Sequence, residues 1–372
     1  MSLARTAAMF DRQADACDEL GSPLYAFLIR RAARDLLENG PCAAAVSGHE
    51  DAPGPDAIAL RLMGGVHALV LSGRAPALAA HYPSAGGSCP SPVPEAVWED
   101  FRATVADHPD WLKDWLTRPP QTNETGRANL LIAGVLHALD GADLPVRLFE
   151  LGSSAGLNLL ADHFRCAWST PSGPEAGATA ASASGAFGPA DSPVLLADAW
   201  RGTPPSPLGA AAELPPLRFA ERRGCDLDPI DPRSPEGALA LRSYVWADQP
   251  ERAARLTGAL QLAERLPTTV EPVGAAEFLR GVSLAEGALT VVWHSVMRQY
   301  VPAAEWALVE AELDRLAAES TPAAPFAHVS FEPRRTPDWR EHRFLLTVRT
   351  GPAAESVLAE AVPHGLPAWP LA

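Results

Sequence analysis

Along residues 1–140 apolar side chains return every three or four positions, the spacing that lines them up on one face of an α-helix. The stretch SPLYAFLIRRAARDLLENG, residues 22–40, also carries its own boundaries. Ser22 is a capping residue, Pro23 suits a first turn, and Gly40 follows the last apolar position. PEAVWEDFRATVADHPDWLKDWL (94–116) reads as one or two amphipathic helices, and NETGRANLLIAGVLHALDG (123–141) as another, closed by Gly141. Turn-rich pieces such as HYPSAGGSCPSPVPE separate them, and no alternating strand pattern precedes Val146.

From Val146 the pattern changes. Apolar runs suited to buried strands fall at 146–151, 217–226, 269–273, 288–294, 326–332 and 343–349. Helical segments at 156–165, 234–265, 275–281 and 303–318 separate most of them, which predicts an α/β domain with a largely parallel sheet. Residues 169–190 are rich in Ala, Ser, Gly and Pro and predict a flexible surface insertion, with FRCAW and PVLLADAW pairing around it as a hairpin. The expected organisation is a helical region over 1–140, acting as a lid or substrate wall, followed by an α/β domain over 141–372.

Composition narrows the function classes. The 372 residues are 47% hydrophobic and 20% charged, as in globular chains, and no apolar run reaches the roughly 18–20 residues of a membrane span. The first twenty residues lack the apolar core of a secretory signal, so the expected location is the cytoplasm. Five scattered cysteines without a C-x-x-C pair, and histidines without ligand spacing, predict neither a disulfide framework nor a metal site. A net charge of −15 argues against nucleic acid as a partner. Lys113 is the only lysine, which removes a G-K-S/T phosphate loop and most Schiff-base chemistry.

The candidate chemistry centres on RLFELGSSAGLNLL, residues 147–160, a strand-like run meeting a small-residue turn and a helix-like run. A dinucleotide fingerprint aligned from Gly152 needs glycine where Ser154 and Leu157 stand. GSSAG also matches the G-x-S-x-G elbow of serine hydrolases, with Ser154 as nucleophile. That reading lacks the upstream strands and oxyanion loop of such enzymes and puts Glu150 beside a developing oxyanion. A third reading fits better: the turn resembles the S-adenosylmethionine loop of class I methyltransferases, D/E-x-G-x-G-x-G, here Glu150, Gly152, Ser154 and Gly156. Two glycines let the backbone approach a ligand, and the following helix start presents free N–H groups. Glu150 supplies a negative group for an ammonium or sulfonium. RRGCDLDP (222–229) closes the next strand with Asp226, suited to accept two ribose hydroxyls. The alternative is that Asp226 and Asp228 cap the following turn.

Together with LRSYVWADQPERAARL, VVWHSVMRQYVP, EPRRTP and PQTNETGRANLL, these stretches resemble the bacterial family known as domain of unknown function 2332, over nearly the whole chain. The family carries no assigned reaction. Its likeness to class I methyltransferases implies a Rossmann-like sheet, S-adenosylmethionine as cofactor, and a small-molecule substrate. The cofactor set it implies is Glu150, Gly152, Ser153, Ser154, Gly156, Asn158 and Asp226.

In such a fold the acceptor sits beyond the fourth strand, which makes His294 the first choice for a general base, with Arg298, Gln299 and Tyr300 lining the same pocket. A histidine bonded within a loop is the plain alternative. Upstream, Asn123, Glu124 and Arg127 open a helix leading toward the sheet; Glu124 is a catalytic candidate or half of an exposed Glu124–Arg127 pair. Trp246 suits stacking on a flat ring or burial in the core. Gly274-Ala275-Ala276 stand where many methyltransferases carry an acid near adenine, with Glu277 as a substitute. Arg334, Arg335 and Arg340 suit an acidic substrate or a solvated turn. A ligand-binding protein without transfer chemistry is the alternative function, motivated by Ser154 and the missing strand-three acid, and a hydrolase is the third. On the cofactor reading, Ser154→Gly is tolerated and Gly152→Val blocks the ligand.

Overall fold

The structure, a computed structural model, describes residues 3–50, 57–169, 184–335 and 342–371. These divide into two compact units, Met1–Thr122 with Pro232–Ala254, and Asn123–Asp231 with Arg255–Ala372.

The first unit is helical. Its main helices are Leu3–Glu19, Pro23–Leu37, Ile58–Leu71, Glu95–Asp107, Pro109–Leu116 and Pro235–Ser243. Phe10, Leu28, Ile29, Leu62, Val66, Phe101 and Leu112 meet in its core. Ile58–Leu71 is apolar on nearly every side and is the most enclosed of them, as an all-round apolar helix must be. Ser22 does not cap the helix that follows it. Its hydroxyl donates to Asp248 Oδ1 (2.5 Å), and the Leu24 amide donates to Asp248 Oδ2 (3.0 Å). A carboxylate 226 residues away in sequence takes over the helix start because it accepts both donors at once. Asp248→Ala is expected to cost about 1–2 kcal/mol, read as a lower urea midpoint. Trp246 is a core residue of this unit, stacked on Tyr25 with ring centroids 5.8 Å apart.

The division therefore differs from the expected boundary at residue 140. The helical unit ends at Thr122 and takes in 232–254, while the helix Ala128–Leu139 belongs with the sheet. That helix lies against strand Phe326–Arg335, where any side chain at Gly134 would strike Val329.

In the second unit the strands are β1 (Val146–Leu151), β2 (Arg165–Ser169), β3 (Ser184–Phe187), β4 (Leu195–Leu196), β5 (Phe219–Cys225), β6 (Thr269–Glu271), β7 (Leu289–Ser295), β8 (Phe326–Arg335), β9 (His342–Thr350), β10 (Ser356–Ala361) and β11 (Ala368–Pro370). Eight form one sheet in the order β11-β10-β9-β8-β7-β1-β5-β6. From β6 to β8 the neighbours are parallel, and β9, β10 and β11 continue as an antiparallel meander. The central strands β1 and β7 are buried on both faces, which is why they read as apolar runs. On one face Phe149, Leu151 and Val292 pack with Phe278, Val309 and Leu313 from the helices Ala275–Arg280 and Ala303–Glu319.

Three local expectations are corrected. FRCAW and PVLLADAW do not form a hairpin: β2 pairs β4 in parallel, and its antiparallel partner is β3. The run 156–165 is a 3-10 helix, Leu157–His163, entered through Gly156 in the left-handed region. The span 234–265 is two helices, Pro235–Ser243 and Pro250–Arg265, with Pro250 suited to the start of the second. Of the insertion 169–190, residues 170–183 lie outside the described residues, as does Arg340. Among the described residues no helix is long and apolar enough to cross a membrane.

Candidate functional site

In an open sheet with parallel strands, ligands bind beyond the carboxyl ends where the strand order reverses. Here that point lies between β1 and β7, since the chain runs outward from β1 through β5 and β6 and then crosses to β7. The carboxyl end of β1 is Glu150–Leu151, followed directly by the GSSAG turn.

Three residues of the turn have positive φ: Gly152 (+68°), Ser154 (+52°) and Gly156 (+70°). This conformation suits glycine and is strained for serine. The turn is tied to β5 at several points. The Ser153 amide donates to the Cys225 carbonyl (2.9 Å) and the Ser154 amide to Asp226 Oδ2 (2.8 Å). The Gly156 amide donates to the Ser153 carbonyl (2.8 Å), and the Leu157 amide to Asn123 Oδ1 (2.8 Å). With these four amides used inside the protein, the turn is not a phosphate nest of the P-loop kind. Ser153 Oγ donates to the Glu150 carbonyl (2.8 Å) and fits only because β5 carries Gly224 opposite it, where a Cβ would collide with that oxygen.

Glu150 is buried, and its Oε1 accepts from Trp293 Nε1 at 3.2 Å. Its Oε2 is buried with no hydrogen-bond partner, and so is Oδ1 of Asn158. Burial pushes the Glu150 carboxyl up to about 8, against the lowering effect of Trp293 and Asn158. Asp226, half-buried at the end of β5, accepts the Ser154 amide on one oxygen and the Asp228 amide (3.1 Å) on the other. The capping alternative is therefore present in the structure, and each oxygen keeps a further lone pair. Met297, on the segment after β7, covers Gly152: a Cβ placed on that glycine would lie 3.0 Å from Met297 Cβ.

His294 lies on the other face of the sheet. Register pairs Glu150 with Trp293 and Leu151 with His294, so the Glu150 and His294 side chains project to opposite sides. His294 Nδ1 is 2.7 Å from Glu332 Oε1, and its Nε2 is 3.0 Å from His328 Nε2. The network assigns the proton on His294 Nδ1 to the Glu332 bond and makes Nε2 the acceptor from His328. Burial, with His294 nearby, holds the His328 imidazole well below its usual range. Glu332 Oε1 also accepts the amides of Met297 (3.1 Å) and Arg298 (3.3 Å). Val296, just before these two residues, has φ +51°, a costly conformation for a β-branched residue and one seen where surrounding contacts over-determine it. Sequence reasoning missed Glu332 and His328. Their signal is the two-residue period of His328, Ser330, Glu332 and Arg334, a polar stripe on one face of an otherwise buried strand.

The remaining candidates are dispersed. Tyr300 is 54% exposed on the turn Arg298–Tyr300, and Gln299 is exposed beside it. Arg298 stacks on Trp306 at 4.6 Å. Residues 125–127 form a single 3-10 turn, so Glu124 caps it through the Gly126 amide (3.0 Å) and faces Arg255 at 3.8 Å. Arg127 instead reaches the carbonyls of Pro363 (3.0 Å) and Ser295 (3.3 Å). Asn158 Nδ2 donates to the Glu124 carbonyl (3.4 Å), linking this turn to the Glu150 pocket. Glu277 is exposed, Arg334 pairs with Glu355 (2.8 Å), and Arg335 with His342 (3.1 Å). Among the described residues no group of three or more His, Cys, Asp or Glu side chains is arranged to hold a metal ion.

A family model described as "Uncharacterized protein conserved in bacteria (DUF2332)" matches residues 7–369. No curated protein and no solved structure matches the chain.

Proposed function

We propose that this chain, which belongs to the DUF2332 family, binds S-adenosylmethionine at the carboxyl ends of β1 and β5 and serves methyl transfer to a small molecule. The observation that carries the reading is the buried, unpartnered Oε2 of Glu150 at the strand-order reversal, an acceptor that calls for a donor or a cation. The parallel order β6-β5-β1-β7-β8 is Rossmann-like and similar to the class I methyltransferase sheet, which supports the same reading. Gly152 and Gly156 supply the positive-φ positions of the turn, Ser153 and Ser154 shape it, and Asp226 keeps lone pairs for ribose hydroxyls.

When bound, the cofactor supplies a methyl group on a positively charged sulfur. The chain's own part is to hold and orient reactants in line, the main demand of such a displacement. Glu150 and Asn158 present acceptors to the cationic end. Glu332 fixes the His294 tautomer, and the His294–His328 pair, on the opposite face of the sheet, positions the segment that follows β7. Glu124 positions Asn158 through the turn it caps, and Tyr300 serves at the exposed rim.

Calorimetric titration with S-adenosylmethionine and S-adenosylhomocysteine tests the reading. Saturable heat, weakened in Asp226→Asn, is expected; no heat at millimolar ligand contradicts it. One observation favours a second reading, binding without transfer: Met297 already covers Gly152, as a side chain in a retired cofactor site would. Binding with no methylated product from a small-molecule extract distinguishes it. A fluorophosphonate label lost in Ser154→Ala would instead support the hydrolase reading.

A further inference from the structure

We propose that Glu150 holds a proton in the ligand-free protein, and that a cationic ligand binds by replacing that proton. The proposal takes its site and its ligand class, a sulfonium or ammonium compound, from the reading above, and it adds the proton exchange.

Glu150 Oε2 and Asn158 Oδ1 are both buried without a donor. The Asn158 side chain stands within hydrogen-bonding reach of Glu150. Its Nδ2 also donates to the Glu124 carbonyl (3.4 Å). A buried carboxylate oxygen that no donor reaches is costly when ionised, and a proton on the carboxyl removes that cost. Among the groups that bear most on Glu150, none is a cation. From β7 comes the Trp293 indole, from the turn Ser153, from the 3-10 helix Asn158, and from β5 the Asp226 carboxylate, whose charge opposes a second negative group. Cys225, also from β5, is a thiol that burial pushes up to about 12 and is neutral. Arg255 is paired with Glu124 at 3.8 Å. Burial, with the effect of Asp226, accordingly lifts the Glu150 carboxyl to about 8.

The exchange balances simply. The O–H bond of Glu150 breaks, the proton leaves to buffer, and the carboxylate accepts the ligand's positive end; no electrons are transferred. One proton is released per ligand bound at pH values below about 8. Affinity for the cation rises tenfold per pH unit up to that point and levels above it.

Calorimetry with S-adenosylmethionine in two buffers of different ionisation enthalpy, near pH 7, reads the exchange directly. The expected result is release of close to one proton in the wild type. In Glu150→Gln, binding is weaker, independent of pH and without proton release. Binding of the ligand with no proton exchange and a flat pH profile overturns the proposal and leaves the cofactor reading standing. If the ligand does not bind, the cofactor reading falls and the proton is read by infrared spectroscopy of the ligand-free protein. A protonated-carboxyl carbonyl band near neutral pH, missing in Glu150→Gln, supports the proposal, and its absence from the wild type overturns it.

Discussion

Glu332→Ala unfolds at a much lower urea concentration than the wild type, with roughly 3–5 kcal/mol of stability lost. Glu332 is buried in the sheet, and its Oε1 accepts from three donors: His294 Nδ1 (2.7 Å) and the amides of Met297 (3.1 Å) and Arg298 (3.3 Å). Alanine leaves all three without that acceptor, with His294 buried and the two amides part-buried, and an orphaned buried group costs about 1–3 kcal/mol. Val296, at φ +51°, loses the contacts that hold the strained segment in place. Glu332→Gln keeps one acceptor oxygen and is expected to lose less. Its new NH2 group falls where Oε2 is buried without a partner, so the loss is not zero. Equal stability of wild type and Glu332→Ala contradicts this account of the segment.

Gly224→Val is the second large effect, at about 3 kcal/mol or more. Gly224 lies on β5 opposite Glu150 of β1, and a Cβ there would collide with Ser153 Oγ and come within 3.2 Å of the Glu150 carbonyl oxygen. Neighbouring strands cannot spread to make room without breaking ladder hydrogen bonds, so the strain passes into the GSSAG turn. Loss of stability and loss of ligand binding are expected together, measured by urea unfolding and calorimetry. Gly224→Ala carries the same collision with fewer atoms and is expected to fall between.

What the sequence made legible follows from burial. β1 and β7 lie inside the sheet, buried on both faces, and their apolar runs marked them within a few residues. β10 and β11 are short, and β11 lies at the sheet edge, so their apolar content is too sparse to stand out. The positions of Glu150, Gly152 and Asp226 were readable because strand ends and turns are local features. The partners of His294 were not, because Glu332 and His328 reach it through the register of β8 on β7, and polar residues within a strand read as surface. The same holds for Asp248, which meets Ser22 and Leu24 only through tertiary contact. The opposite orientation of Glu150 and His294 needed only the register of two adjacent strands, and nothing in either segment alone specifies it.

The central claim is a cofactor site between the carboxyl ends of β1 and β5, and a crystal structure of the protein grown with S-adenosylhomocysteine tests it most directly. The account predicts ligand density over Gly152, with Met297 displaced, an amine against Glu150 and Asn158, and ribose hydroxyls on Asp226. Crystals grown at saturating ligand with Met297 still seated on Gly152 and density for the ligand elsewhere, or nowhere, would contradict it.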